Sequence, residues 1–428
     1  MAEKIQSLPG FRDFYPEDCA ARNYLFGKWR AVAHRYGFLE YEAPLLEATE
    51  LYKRKSGEEI TNQLFCFEDK SEREVSLRPE LTPSLARMAA ARQRDYKKPL
   101  RWFAIGRFFR YEKPQKGRTR EFYQLNCDIL GEPSPAADAE LIAFAIDLMR
   151  SLGFTAEDFV IRLSDRQSWN SFLKENTVPP EKSDAFLQII DKWEREPPEK
   201  LAPKLNEVGI GIDKVRAFME TTASPSDNIA AIQGNLAARG YADYLRVDPA
   251  VVRGLAYYTG AVYEVFDKSK SMRAVAGGGR YDSLLELIGG VEMPACGFAM
   301  GDVVITDFIR ETPRANAQLQ ETLGSTGNLD AFIIIANESQ RPVALSEVQK
   351  LRDAGYRIDY PLTPTKIAKQ FQVAEQLNAR ATILFGDEFP LVKVKDLANR
   401  AETAVPAENA FEVLQDVLTN EEGPLLAE

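Results

Sequence analysis

The apolar positions of residues 1–165 recur with two different periods, and each period predicts one kind of secondary structure. Recurrence at helical spacing predicts helices over residues 16–37, 81–93 and 136–152. Alternating or unbroken apolar runs predict strands over residues 38–42, 64–68, 75–78, 100–111, 121–131 and 159–163. This part of the chain therefore mixes strands with helices, and a polar loop over residues 112–120 separates two of the longest strands.

The pattern changes after residue 165, where apolar positions keep helical spacing and Pro-Pro pairs separate the segments. Residues 166–243 are therefore expected to form an all-helical insertion. Strands are predicted to return over residues 244–248, 260–266 and 272–277. The glycine run that begins at Gly277 is interpreted as a turn leading into a helix, and residues 297–301 as the start of another helix-forming stretch.

The C-terminal part of the chain has a different organisation. Turn-forming residues are frequent after residue 310, and we interpret residues 313–328 as a linker. Beyond the linker, strands are expected over residues 332–335, 358–360 and 381–386, with helices over residues 343–354 and 365–378 between them. Strands that alternate with helices predict a separate α/β domain over residues 329–428.

The composition is typical of a globular protein. Of the 428 residues, 45% are hydrophobic and 28% are charged. No run approaches the roughly 18 apolar residues that predict a membrane span, and the first ten residues lack the apolar core of a signal peptide. The four cysteines form no Cys-x-x-Cys pair, so the sequence identifies no metal site and a reducing, cytoplasmic location is expected.

The chain has one histidine, His34, and this limits the chemistry available to it. His34 falls near the end of the first predicted helix, where a surface position is expected. A catalytic relay or a metal site built on several histidines is therefore excluded. The phosphate-binding motif Gly-x-x-x-x-Gly-Lys-[Ser/Thr] is also absent, so a nucleotide would have to be held in another way.

Charge is unevenly distributed along the chain. The net charge of −10 argues on its own against a nucleic-acid partner, because phosphate contacts need Lys and Arg. Residues 101–124 nevertheless carry seven basic and two acidic residues, interleaved with aromatic residues. This pattern suits a strand, loop and strand with one face in a core and arginines directed at an anion, such as a triphosphate.

Several segments together resemble one family. Residues 110–124 (Arg-Tyr-Glu-Lys-Pro-Gln-Lys-Gly-Arg-Thr-Arg-Glu-Phe-Tyr-Gln) resemble the second signature motif of class II aminoacyl-tRNA synthetases in its histidyl form. Residues 253–260 (Arg-Gly-Leu-Ala-Tyr-Tyr-Thr-Gly) and 276–282 (Ala-Gly-Gly-Gly-Arg-Tyr-Asp) resemble the two histidine-specific elements of that family. Pro44 follows a long predicted helix and a predicted strand, and this arrangement resembles the first class II motif. Residues 329–428 resemble the anticodon-binding domain of the same enzymes. The resemblance to histidyl-tRNA synthetases covers nearly the whole chain.

The resemblance implies a fold and a division into domains. It implies an α+β class II synthetase catalytic domain, an antiparallel sheet flanked by helices, formed by residues 1–165 and 244–312. Residues 166–243 would be the helical insertion, and residues 329–428 would be an α/β anticodon-binding domain. The first motif, with Pro44, implies a homodimer, because it builds the two-fold interface in this class.

The resemblance also implies an activity, the ATP-dependent activation of L-histidine to histidyl-adenylate and its transfer to the 3′ end of tRNA(His). ATP would act with Mg²⁺. Arg253 and Arg110 would be the catalytic cations at the reacting phosphate and carboxylate. The histidine site would consist of Glu80, Thr82, Gln124, Asp128, Tyr258 and Tyr281. The ATP site would consist of Arg110, Glu112, Arg118 and Phe122.

Two positions depart from the family pattern. Ala256 stands where the family has an aspartate, and the rest of that element is retained. Residues 297–301 resemble the opening of the third class II motif, but Val304 stands where the motif has an arginine directed at the γ-phosphate. Loss of a charge-assisted hydrogen bond costs about 1.5–3 kcal/mol. Another arginine, Arg118 or Arg273, is therefore expected to substitute.

Two other interpretations remain open. The first is a paralogue such as the regulatory subunit of ATP phosphoribosyltransferase, which shares the catalytic fold but typically lacks the C-terminal domain and the full set of arginines. The second is a tRNA-sensing or tRNA-binding module with an inactive catalytic site, supported only by Val304. Histidine-dependent exchange between ATP and pyrophosphate distinguishes both from a synthetase.

Overall fold

The computed structural model describes residues 5–56, 58–221, 226–252, 257–269 and 272–419. The chain divides into two compact units, residues 1–320 and residues 321–428. In the part of the chain that is described, no helix combines the length and apolar character needed to cross a membrane.

The helices and strands that begin in the first unit include nearly all of the long elements expected from the sequence. The helices are α1 (Pro16–Arg35), α2 (Glu50–Ser56), α3 (Thr82–Arg92), α4 (Pro135–Ser151), α5 (Arg166–Glu175), α6 (Ser183–Ile190), α7 (Pro198–Val208), α8 (Ile212–Thr221), α9 (Asp227–Ala238), α10 (Leu284–Gly289), α11 (Asp302–Glu311) and α12 (Pro313–Ser325). The strands are β1 (Leu39–Glu40), β2 (Leu46–Ala48), β3 (Phe65–Glu68), β4 (Glu74–Leu77), β5 (Leu100–Phe109), β6 (Glu121–Leu130), β7 (Phe159–Asp165), β8 (Leu245–Val247), β9 (Ala261–Asp267), β10 (Ala276–Arg280) and β11 (Ala295–Gly301).

One large sheet dominates this unit. Within the described residues it has eight strands in the order β1-β5-β6-β11-β10-β9-β7-β8. The inner pairs are antiparallel, and only the edge pairs β1–β5 and β7–β8 are parallel. Helix α4 contacts β11 and is buried along most of its length, which explains its predominantly apolar sequence. The predicted α+β fold, a mainly antiparallel sheet flanked by helices, is confirmed.

The glycine-rich segment at the centre of the sheet differs from its sequence-based interpretation. Gly277 to Gly279 do not form a turn, because they lie inside β10, which pairs with β9 and β11. A Cβ atom on Gly278 would lie 2.1 Å from the carbonyl oxygen of Gly297 and 2.5 Å from Tyr263 Oη. Glycine is therefore needed here for close packing. Residues 297–301 are likewise strand, and helix α11 begins only at Asp302.

The segment after β7 is helical where the structure describes it. Helices α5 to α8 surround a core of their own, in which Trp169, Phe186 and Leu205 are buried. The segment 313–328, which we interpreted as a linker, contains helix α12. Ala315 and Leu319 lie one helical turn apart and are both buried. Their packing therefore stabilises a helix despite the preference of the neighbouring residues for turns.

The second unit is a smaller α/β structure. Its helices are α13 (Arg341–Asp353), α14 (Ile367–Gln376) and α15 (Ala410–Thr419). Its strands are β12 (Ala331–Ile335), β13 (Ile358–Asp359), β14 (Ala381–Phe385), β15 (Leu391–Asp396) and β16 (Glu402–Pro406). Among the residues described, the strand order is β13-β12-β14-β15-β16, with β13, β12 and β14 parallel and the last two pairs antiparallel. The predicted α/β domain is confirmed, and β15, β16 and α15 are additions to it.

Candidate active site

A pocket of about 190 Å³ opens over the centre of the large sheet. It brings together every residue that the sequence predicted for a histidine site, namely Glu80, Thr82, Gln124, Asp128, Tyr258 and Tyr281. These residues come from β6, from the start of α3 and from the segments that flank β9 and β10, so most of the pocket is held by sheet strands and their ends. We call this cavity the inner pocket.

Asp128 and Tyr281 form the buried polar part of the inner pocket. Their exposed fractions are 3% and 2%, and the Tyr281 hydroxyl donates a hydrogen bond to the Asp128 carboxyl group. Burial raises the pKa of Asp128 to about 7, although the hydrogen bond from Tyr281 opposes this shift. The carboxyl group therefore titrates near neutral pH and can accept a hydrogen bond from a ring N–H group of a ligand.

Glu80 is paired with a cation that the sequence analysis missed. The Lys55 ammonium group, buried in the inner pocket, forms an ion pair with Glu80 and lies 4.1 Å from the centroid of the Tyr257 ring. Burial lowers the pKa of Lys55, and the carboxylate of Glu80 opposes that shift. No motif marks Lys55, and its position depends on α2, a helix that the hydrophobic pattern did not predict.

Arg110, just after β5, lies where the inner pocket meets a larger cavity. Its Nε donates a hydrogen bond of 3.0 Å to the carbonyl oxygen of Pro79, and its guanidinium carbon lies 5.0 Å from the centroid of the Phe122 ring. Burial lowers the pKa of Arg110, whereas Glu80 and Glu112 raise it. The guanidinium group is thus fixed in direction by backbone and ring contacts.

The larger cavity has a volume of about 1250 Å³, and we call it the outer cavity. Gln124, Gly277 and Ala299 line both cavities together with Arg110, so the two spaces adjoin. Its other lining residues include Arg118, Phe122, Arg273 and Val304. A small polar molecule in the inner pocket would therefore meet a larger anionic molecule in the outer cavity beside Arg110.

The remaining candidates are distributed as follows. Glu112 lines the inner pocket and forms an ion pair with Arg118 of the outer cavity. Arg253 and Ala256 lie outside the described residues.

His34 is exposed on α1, as expected, with its ring 5.4 Å from that of Phe103. The described residues contain no group of three or more His, Cys, Asp or Glu side chains placed to bind a metal ion.

Comparison with known proteins identifies the family. The family model for histidyl-tRNA synthetase matches residues 10–302, and the model for an anticodon-binding domain matches residues 330–417. The chain belongs to the histidyl-tRNA synthetase family.

Individual relatives agree with this assignment along most of the chain. The histidine–tRNA ligase of Opitutus terrae is 40% identical over 97% of this chain and 99% of its own length. The chloroplastic/mitochondrial histidine–tRNA ligase of Arabidopsis thaliana is 39% identical over 90% of this chain and 81% of its own. The crystal structure of histidyl-tRNA synthetase from Nostoc sp. PCC 7120 shares the fold, with a TM-score of 0.76 at 22% identity, covering 97% of this chain and 100% of that one.

We expect Asp128 to make stability depend on pH in a specific direction. Its folded pKa is about 7, above the value of an exposed carboxyl group. Between roughly pH 4 and pH 7 the folded state therefore keeps a proton that the unfolded state has released, so the free energy of unfolding falls as pH rises. The loss is about 1.4 kcal/mol for each unit by which the two pKa values differ.

Urea unfolding of the wild type and of Asp128→Asn between pH 5 and pH 8 measures this contribution. The stability of the wild type should fall relative to that of Asp128→Asn as pH rises, because the amide does not titrate. Asp353→Asn, which changes an exposed carboxylate on α13, should keep the wild-type profile. Parallel profiles for the wild type and Asp128→Asn would show that Asp128 titrates normally.

Proposed function

We propose that this chain is a histidine–tRNA ligase that uses ATP to activate histidine and then transfers it to tRNA(His). The observation that supports this most directly is the inner pocket, where polar and aromatic side chains from distant segments adjoin a cavity lined by arginines. Membership of the histidyl-tRNA synthetase family supplies the reaction class, and the two cavities supply residues that can hold histidine and ATP.

Histidine fits the chemistry of the inner pocket. Asp128 accepts a hydrogen bond from an imidazole N–H group, and Tyr281 fixes the orientation of the carboxyl group through its own hydrogen bond. Glu80, with Thr82 beside it, receives the α-ammonium group of the substrate as a second cation in addition to Lys55. Gln124 and Tyr258 complete the lining of the pocket.

ATP occupies the outer cavity in this proposal. The adenine ring lies against Phe122 and near Glu112, and Arg110 contacts the α-phosphate beside the carboxylate of histidine. Arg118 reaches the outer phosphates. Arg253 is assigned to the opposite side of the reacting phosphate by the family resemblance alone, since it lies outside the described residues.

The reaction needs no nucleophilic side chain. A carboxylate oxygen of histidine attacks the α-phosphorus of ATP, a P–O bond forms, and the bond to the bridging oxygen breaks with release of pyrophosphate. The 3′-terminal hydroxyl of tRNA then attacks the carbonyl carbon of the adenylate and AMP leaves. The chain contributes orientation of the two substrates and fixed positive charge where negative charge develops.

Mg²⁺ fits this site only when the phosphates of the bound nucleotide supply some of its ligands. The ion usually retains several water molecules and binds through one or two carboxylates together with substrate phosphates. The described residues contain no cluster that would bind a metal ion without such phosphates, and Glu264 is a carboxylate that lines the outer cavity. Glu264 would hold the ion, which would neutralise phosphate charge.

The second unit is proposed to bind the anticodon arm of tRNA. Its exposed Lys366 and Lys369 lie at the start of α14, and Lys393 and Lys395 lie on β15. Residues 329–400 carry ten basic and nine acidic residues, and residues 401–428 carry seven acidic residues and no basic one, so tRNA binding is expected to depend on these two local basic clusters. A homodimer and a cytoplasmic site of action are also part of the proposal, the dimer because the first class II motif includes Pro44.

Selectivity for the amino acid tests the assignment of the inner pocket. Histidine should support exchange between ATP and pyrophosphate, and phenylalanine should support a rate on the order of 10⁴-fold lower, because its ring offers no N–H group to Asp128 or Gln124. Asp128→Ala should reduce the difference between the two exchange rates, because it should lower the rate with histidine and not the rate with phenylalanine. Equal exchange with histidine and phenylalanine would refute the assignment.

Removal of the second unit tests the proposed tRNA contact. Deletion of residues 329–428 should leave the rate of histidine-dependent exchange nearly unchanged, because the described residues that line the inner pocket and the outer cavity all lie at or before Val304. Transfer of histidine to tRNA should fall by about tenfold or more, since each 1.4 kcal/mol of lost contact is a factor of ten. Normal transfer by the shortened chain would mean that the unit has another role.

A further inference from the structure

The outer cavity poses a problem for ATP that depends on the proposed function. If Arg110 contacts the α-phosphate, the β- and γ-phosphates extend into the cavity past the start of α11. The first turn of that helix contributes Val303 and Val304 to the cavity wall, and both side chains are apolar. A charged triphosphate end placed against two valines needs a cation from another part of the chain.

Arg273 lies beside these valines. It precedes β10, the sheet neighbour of β11, and lines the outer cavity. A Cβ atom placed on Gly117 would lie 3.4 Å from Val304 Cγ2 and 3.9 Å from Arg273 Cδ. The two side chains therefore approach the same residue of the loop between β5 and β6, and both line the outer cavity.

The other arginines near Arg273 already have carboxylate partners. Arg118 forms an ion pair with Glu112, and Arg195 forms one of 2.6 Å with Asp191. Within the described residues, no carboxylate forms an ion pair with Arg273. Burial and the neighbouring positive charge of Arg118 lower the pKa of Arg273, and the carboxylate of Glu112, which is ion-paired with Arg118, opposes that shift. A guanidinium group that faces another cation is stabilised when an anion binds between them.

We propose that Arg273, together with Arg118, binds the outer phosphates of ATP and takes the role that an arginine at position 304 would have. Its planar fork suits bidentate binding of phosphate oxygens, which a lysine would not reproduce. Arg273 is exposed and contributes little to the core, so its removal should spare the fold and act on nucleotide binding.

The first test compares ATP with AMP, which lacks the outer phosphates. Calorimetry on the 428-residue chain should show that Arg273→Ala lowers the affinity for ATP by about 10- to 150-fold, the equivalent of about 1.5–3 kcal/mol. The affinity for AMP should stay within about twofold of the wild-type value. Arg310→Ala is the matched control, because Arg310 is an exposed arginine in the last turn of α11 and lines neither cavity. This control should bind both nucleotides like the wild type.

The second test asks whether positions 273 and 304 serve the same phosphates. Val304→Arg in the wild-type background should change ATP affinity by less than about tenfold. In the Arg273→Ala background, the same substitution should restore most of the lost affinity. Arg273→Lys should restore less, because the planar fork is absent.

The outcomes separate this proposal from the proposed function. The role of Arg273 would be overturned if Arg273→Ala lowered the affinities for ATP and AMP equally, or if it left the affinity for ATP unchanged. Failure of Val304→Arg to restore ATP affinity would overturn the equivalence of the two positions. If the wild type shows no histidine-dependent exchange, the proposed function fails, whereas the difference between ATP and AMP still reports on Arg273.

Discussion

At the centre of the large sheet, Asp128, Gly297 and Gly279 lie opposite one another on three adjacent strands, β6, β11 and β10. A Cβ atom on Gly297 would lie 2.2 Å from Asp128 Oδ1 and 3.0 Å from Tyr281 Cε1, and one on Gly279 would lie 2.8 Å from the Tyr258 ring. The missing side chains therefore create the space into which the polar groups converge. The inner pocket depends on this constraint.

A pocket built in this way is rigid, and that has electrostatic consequences. Strands hold Asp128 away from water, so its pKa rises to about 7 and the hydrogen bond from Tyr281 fixes its direction. Arginines at the strand ends, such as Arg110, then supply fixed positive charge where the pocket opens into the outer cavity. Catalysis by orientation and charge requires such a rigid frame, because the donors must not reorganise during the reaction.

The sequence predicted the long elements and selected residues that the structure brings together in the inner pocket, but it did not predict the role of the glycines. Residues 100–131 carry their apolar pattern over ten-residue strands, so periodicity located β5 and β6 well. The run from Gly277 was wrongly interpreted as a turn, because local sequence does not distinguish a glycine that permits a turn from one that permits close strand packing. The distinction depends on Gly297 and Tyr263, which are distant in sequence.

Other features were missed for the same reason. Lys55 enters the inner pocket through a short helix that has no recognisable periodicity, and its partner Glu80 is 25 residues away. Arg273 was only one of two candidate substitutes in the sequence, because only the fold reveals that it and Val304 approach the same loop residue. Contacts between distant segments decide which charged residues belong to a site.

The affinity of Gly297→Ala for histidine, measured by calorimetry, tests most directly the claim that missing side chains create the inner pocket. The added methyl group should displace Asp128 and Tyr281 and lower the affinity for histidine by about tenfold or more, with the affinity for ATP nearly unchanged. Gly301→Ala in the same strand is the control, since its Cβ would meet only the carbonyl oxygen of Tyr123 at 3.9 Å. Wild-type affinity for histidine in a folded Gly297→Ala protein would contradict the account.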